Sequence, residues 1–99
     1  MKQNTFQRIY DVVAKIPKGK VMTYKQVSLV ANVATPRIVG FAMAANKDTN
    51  HVPCHRVIKS DGTLAGYGFG GSEVKRKMLE EEGIAFTREG RVVLDKHAL

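Results

Sequence analysis

The chain has one cysteine in 99 residues, Cys54, which excludes an internal disulfide and fits a reducing cytoplasm. No apolar run approaches the length of a membrane span, and the first residues lack the charged-then-apolar layout of a signal peptide. A membrane is therefore not among the expected partners. Acidic residues are scarce, 9 against 16 Lys and Arg, for a net charge of +7. That balance points to a polyanionic partner, nucleic acid first, although a merely soluble basic protein would share it. Nothing repeats, no segment is low in complexity, and no linker is visible. With 43% apolar and 25% charged residues the composition is that of an ordinary globular protein. The length suits one domain, residues 1–99, with a single modest core.

What the chain does have is clear local punctuation. A first helix begins at Asn4 or Thr5, carries Phe6, Ile9, Tyr10, Val13 and Ile16 on one face, and stops at Pro17 and Gly19. Thr23 with Gln26 three residues later forms a capping box, which predicts a second helix from about Tyr24 to Ala31. Thr35 as N-cap and Pro36 at the first helical position predict a third, to about Ala45, with Ile38, Val39, Ala42 and Met43 inward. Two short helices joined by a few residues in a basic domain read as a helix-turn-helix, or as any antiparallel helix pair. Beyond the cysteine, Asp61-Gly62 predicts a hairpin and Ser72 a cap for a fourth helix closed by Gly83. A further hairpin is expected to turn near Glu89 and Gly90. The expected class is α+β: a small, mainly helical domain, winged-helix-like, with short edge hairpins.

The thiol lies in "VPCHRV". Only a thiolate is a good nucleophile, and an unperturbed thiol is mostly protonated at neutral pH, so a reactive cysteine needs a base or cation nearby. His55 is adjacent, yet neighbours in an extended segment point apart, so a tight turn or bridging water is required. The alternative is a small buried hydrophobe. His51, Cys54 and His55 would give a metal three ligands, without the paired spacings of a four-ligand zinc site, and no metal is expected. On a helical wheel Val74, Met78 and Leu79 share an arc with Glu82. A carboxylate there must be paired, bonded or functional, unless it belongs to a frayed last turn. One use is as the third member of a Cys–His–carboxylate relay.

"PCHRV", together with "TYKQV", "PRIVGFAM" followed by Asn46, and "KRKMLEEEG", resembles the DNA-binding, active-site domain of the O6-alkylguanine-DNA alkyltransferases. The resemblance runs from Phe6 to about Gly83. It implies a single-turnover methyltransferase that flips a damaged guanine out of double-stranded DNA and moves its O6-alkyl group to its own cysteine. It implies no cofactor and action as a monomer. By position, Cys54 would be the acceptor, His55 would take its proton through a water, and Glu82 would hold His55. Tyr24 would donate toward the guanine, and Asn46 would brace the turn before the active-site segment. Arg37 would fill the gap left by the extruded nucleotide, with Thr23, Tyr24 and Thr35 also facing DNA in the minor groove. Val57, Tyr67 and Met43 would line the base pocket. The reading requires the sulfur to be exposed in a cavity that admits a purine.

Three features depart from the pattern. The family's separate N-terminal domain is missing, "KDTNHV" is polar where relatives place a proline and an apolar run, and "GYGFGG" holds an extra residue. The first two, with the "EEEGI" tail, are similar to the alkyltransferase-like proteins, which bind alkylated DNA without repairing it and hand it to excision-repair proteins. Those normally carry tryptophan where this chain has Cys54. The frame thus resembles a lesion sensor and the thiol a repair enzyme.

Overall fold

The computed structural model describes residues 4–64 and 70–99. Helix α1 (Thr5–Val13) starts where the Asn4 side chain accepts the Gln7 N–H at 2.7 Å, and it buries Ile9 and Val13. Ile16 is buried too, but from a tight turn beyond the helix, where its N–H reaches the Val13 carbonyl. The short strand β1 (Met22–Thr23) runs directly into α2 (Tyr24–Ala31). Both halves of the expected capping box form: Gln26 N–H to Thr23 Oγ1 at 3.0 Å, and Thr23 N–H to Gln26 Oε1 at 2.9 Å. Asn32 closes α2 in the left-handed conformation (φ 57°), and the Val33 N–H reaches back to the Ser28 carbonyl. Arg8 on α1 donates to the carbonyls of Ala31 and Asn32, covering acceptors that the helix leaves free.

The chain then turns by 98° into α3 (Pro36–Ala45), the angle of a helix-turn-helix. Pro36 opens α3 as expected. Thr35 sits at the cap but its side chain makes no capping bond, so proline and packing start this helix. Tyr10 Oη donates to the Ala42 carbonyl at 2.9 Å and ties α1 to α3.

After α3 a loop leads to a 3₁₀ turn (Cys54–Arg56) and to β2 (Val57–Ile58). The expected hairpin is corrected here. The Asp61-Gly62 turn exists, with Lys59 N–H to the Thr63 carbonyl, but β2 pairs in parallel with β1, Met22 opposite Val57 and Thr23 opposite Ile58. Val21 adds a parallel bridge to Ala98. At Gly62 (φ 87°) a Cβ would lie 3.0 Å from the Val92 carbonyl, so the turn packs against the tail through a residue without a side chain.

Helix α4 (Gly71–Glu81) is capped by Gly70; Ser72 lies inside it. Its inward residues are Lys75 and Leu79, whereas Val74 is 39% exposed, contrary to the wheel. Beyond it Phe86 bridges Val92, the expected second hairpin reduced to one antiparallel bridge, and α5 (Leu94–His97) follows where strand was expected. His97 Nε2 accepts the Ala85 N–H at 2.8 Å, so its Nδ1 carries the proton toward the Gly19 carbonyl at 3.3 Å.

Two clusters result. One joins α1, α2 and α3 to the Cys54 turn through Ile9, Val13, Val27, Val39 and Val57; the other gathers Val21, Ile58, Leu79, Ile84 and Val92. Each such side chain, fully withdrawn from water, contributes about 1.5–3 kcal/mol. The segment from Cys54 to Ile58 joins them, with Cys54 and Val57 in the first cluster and Ile58 in the second.

Candidate active site

Cys54 begins the 3₁₀ turn, with its N–H on the Val52 carbonyl at 2.8 Å. In the turn neighbouring side chains no longer alternate as in an extended strand, yet no hydrogen bond joins His55 to Cys54 among the described residues. The sulfur's residue is only 5% exposed and belongs to the core cluster, which corrects the expectation of an open thiol. It is nonetheless surrounded by polar chemistry. Tyr24 and Lys75 both lie within electrostatic reach of it.

His55 is buried, and its Nε2 stands 3.0 Å from Glu82 Oε2. Its Nδ1 is buried without a hydrogen-bond partner among the described residues. Burial pushes the imidazole below its ordinary value; Glu82 opposes that, while the charges of Arg56 and Lys75 reinforce it. The ring is therefore neutral at neutral pH, donating from Nε2 to the carboxylate and presenting a lone pair at Nδ1. That is the state of a general base.

Glu82 caps the C-terminus of α4, with its side chain turned inward. Burial raises its carboxyl, but the bonds from Arg56 and His55 outweigh burial and hold it below the usual range. Arg56 grips it with a fork, Nε to Oε1 at 2.9 Å and Nη2 to Oε2 at 2.6 Å, while Nη1 donates to the Ile16 carbonyl at 2.7 Å. Glu82 is thus fixed, ionised and aimed.

Lys75 and Arg56 were not among the expected site residues. Lys75 is 1% exposed, donates to the Val57 carbonyl at 2.7 Å and lies 5.9 Å from the centre of the Tyr24 ring. Burial lowers it to about 8, with the Cys54 charge acting the other way. It remains mostly a cation at neutral pH. Its signal was present: Lys75 precedes Met78 by three residues and Leu79 by four, on the helix stripe that turns inward.

Asn46 is buried, in extended backbone, and bridges the loop: Nδ2 donates to the Val52 carbonyl at 2.9 Å, and Oδ1 accepts the Asp48 N–H at 3.0 Å. It fastens the end of α3 to the segment that delivers Cys54. Tyr24, half-buried, is held above its ordinary value by burial and then by Cys54, so its hydroxyl keeps its proton. Val57 and Met43 are buried in the same cluster as Cys54, and Tyr67 lies outside the described residues, as do most of "GYGFGG". His51 pairs with Asp48 at 2.9 Å on the surface instead of joining the thiol. Arg37 and Thr35 are exposed at the start of α3. Thr23 is 9% exposed, and its hydroxyl oxygen accepts the Gln26 N–H in the capping box. An open apolar groove of about 370 Å³ between α1 and α2, lined by Val12, Met22, Leu29 and Leu99, does not include Cys54. The chemistry sits at the 3₁₀ turn instead.

The fold and site together define a helix-turn-helix domain with a buried cysteine and, next to it in sequence, a buried histidine paired with a carboxylate. Residues 4–84 match the family described as 6-O-methylguanine DNA methyltransferase, DNA binding domain, and the chain belongs to that family. It is 42% identical over 79 residues to a methylated-DNA–protein-cysteine methyltransferase of Methanothermobacter thermautotrophicus, covering 80% of this chain and 44% of that protein. A protein of the same name from Pyrobaculum aerophilum is 52% identical over 68 residues, 69% of this chain and 45% of the other. This chain therefore spans less than half the length of those curated relatives. Among solved structures, S. pombe Atl1 in complex with damaged DNA containing O6-carboxymethylguanine matches with a TM-score of 0.81 and 32% identity, over 100% of this chain and 98% of that one. Mycobacterium tuberculosis OGT in complex with DNA matches with a TM-score of 0.76 and 36% identity, over 84% of this chain and 51% of that one.

Proposed function

We propose that this chain repairs DNA by taking an alkyl group from O6-alkylguanine onto Cys54, once and irreversibly. The observation that carries the reading is the His55–Glu82 contact of 3.0 Å, which leaves Nδ1 of a neutral, buried imidazole, next in sequence to Cys54, without a hydrogen-bond partner among the described residues. The thiol proton passes to His55 Nδ1, through a water as the family pattern implies. The sulfur then forms a bond to the alkyl carbon, the carbon–O6 bond breaks, and its electron pair returns to the guanine. Tyr24, which retains its proton, donates toward the base as that charge develops, and the proton taken from the thiol restores neutrality. Lys75 sets a cation within electrostatic reach of the sulfur, and Arg56 keeps Glu82 ionised. Flipping brings the base out of the stack, with Arg37 replacing it. The chain acts in the reducing cytoplasm, which its one cysteine supports, and its basic charge favours DNA as the partner.

Incubation with an O6-methylguanine oligonucleotide should raise the intact mass by one methyl group, located on Cys54. Protein that stays unmodified after long exposure to excess substrate overturns the reading.

A second reading is favoured by one observation: Atl1 is matched over 98% of its chain, whereas OGT is matched over 51%. On that reading the chain is a non-catalytic sensor that binds the lesion and recruits excision-repair proteins. Lesion preference would then survive Cys54→Ala, and no methyl would be transferred.

A further inference from the structure

The outward face of α3 carries a feature that alkyl transfer does not use. The helix "PRIVGFAMAA" contains one charge, Arg37, and its exposed positions beyond that charge are Phe41, Ala44 and Ala45. Phe41 is 55% exposed, a large ring that the core does not need. The Arg37 guanidinium carbon lies 5.6 Å from its centroid, and the Arg37 side chain makes no hydrogen bond or ion pair with another described residue. The two form a cation–π pair one helical turn apart, pointing outward together.

We infer that Phe41 is a wedge that enters the DNA minor groove and unstacks the base step next to the one Arg37 occupies. The inference rests on the DNA-repair reading above. A surface that gripped phosphates alone would repeat lysine and arginine along the helix; this one offers a single cation, a ring and small residues in a chain of net charge +7. Sugar edges and base faces inside the groove are apolar, and minor-groove proteins insert apolar side chains between base steps. Laid along the groove, residues four apart are separated by about 6 Å, between one and two base spacings of about 3.4 Å. The ring therefore reaches a neighbouring step while Arg37 fills the vacated position. The small side chains of Ala44 and Ala45 let the helix come close enough for both to enter.

The absence of tryptophan from the chain makes the test direct. Phe41→Trp introduces a sole indole, and Val30→Trp, on the exposed side of α2 lining the apolar groove, serves as control. Each variant is titrated with unlabelled duplex, with and without one O6-methylguanine, and binding is followed separately by anisotropy of a labelled duplex. Stacking should quench the Phe41→Trp emission in step with binding and leave the control unchanged. Phe41→Ala should bind about tenfold more weakly, within the range expected for loss of one aromatic–base stack, and Phe41→Leu should recover most of that loss. A complex that forms with unquenched emission, together with wild-type affinity in Phe41→Ala, overturns the wedge and leaves this face to a protein partner. Failure of the wild-type chain to bind either duplex overturns the DNA reading itself, and the wedge with it. Methyl transfer that persists in Phe41→Ala with undiminished affinity defeats the wedge alone.

Discussion

Glu82 Oε2 lies 3.0 Å from His55 Nε2, across 27 residues of chain, and 2.6 Å from Arg56 Nη2. One carboxylate oxygen is thus shared by a neutral ring that it orients and a permanent cation that keeps it charged. The sharing has a definite consequence. Arg56 restrains the carboxylate from drawing the imidazole into its protonated form, so His55 stays neutral as a base while still being held in one tautomer.

Glu82→Gln should preserve shape and remove this charge. The fork of Arg56, 16% exposed, is left without its counter-ion. Stability should fall by about 3 kcal/mol in urea unfolding, and methyl transfer by tenfold or more. His55→Gln leaves Arg56 paired, so it should cost less stability while slowing transfer by about a hundredfold. Equal stability losses in the two variants would remove the shared-oxygen account.

The pH dependence of stability has three separable parts. His55 binds its proton less tightly in the folded state than unfolded, so stability falls as pH drops below about 6.5, where the unfolded imidazole charges first. Glu82 is depressed in the fold; its contribution is complete above the unfolded carboxylate value of about 4.3 and is lost as pH falls through its lower folded value. Lys75 is lowered to about 8. Between there and its unfolded value of about 10.4 the unfolded chain holds more protons, and this group makes stability rise with pH. Urea midpoints measured from pH 5 to 9.5 should lose the acid slope in His55→Gln and the alkaline rise in Lys75→Met.

Because Cys54 is 5% exposed, an aromatic disulfide reagent should label the native protein about a hundredfold more slowly than the urea-unfolded chain. Adding a duplex with O6-methylguanine should abolish labelling after refolding and unfolding if the thiol has been methylated. Equal native and unfolded rates would contradict the packing around the sulfur.

Asn46→Ala removes two bonds, one to the Val52 carbonyl, which keeps only the Cys54 N–H, and one from the Asp48 N–H. The expected loss is about 2 kcal/mol, read from urea unfolding. Since Val52 precedes the active-site turn, native labelling of Cys54 should also become faster. A stability loss with unchanged labelling would confine Asn46 to the loop.

Much of this is written in short spans of chain. The Thr23–Gln26 capping box, Pro36 at the head of α3 and the glycine after Glu82 are contacts between residues at most four apart, and each appears where the spacing predicts it. The helical wheel groups Glu82 with Met78 and Leu79, and its carboxylate does turn inward, although Val74 of the same arc is exposed. Local rules are reliable here because a cap or a wheel position needs no distant partner.

Other features require the packed chain. Met22 opposite Val57 is a parallel pairing across 35 positions, and nothing in "RVIKSDGTL" distinguishes it from a hairpin, because both begin with the same apolar pair and turn. Lys75 is read as surface by its chemistry, yet it is withdrawn from water where α4 meets the Val57 carbonyl. Arg56 looks like one more basic residue until its fork closes on a carboxylate from another element. Caps and helix phase depend on neighbours a turn away, whereas strand partnership, buried cations and the reach of a relay depend on which surfaces the fold presses together.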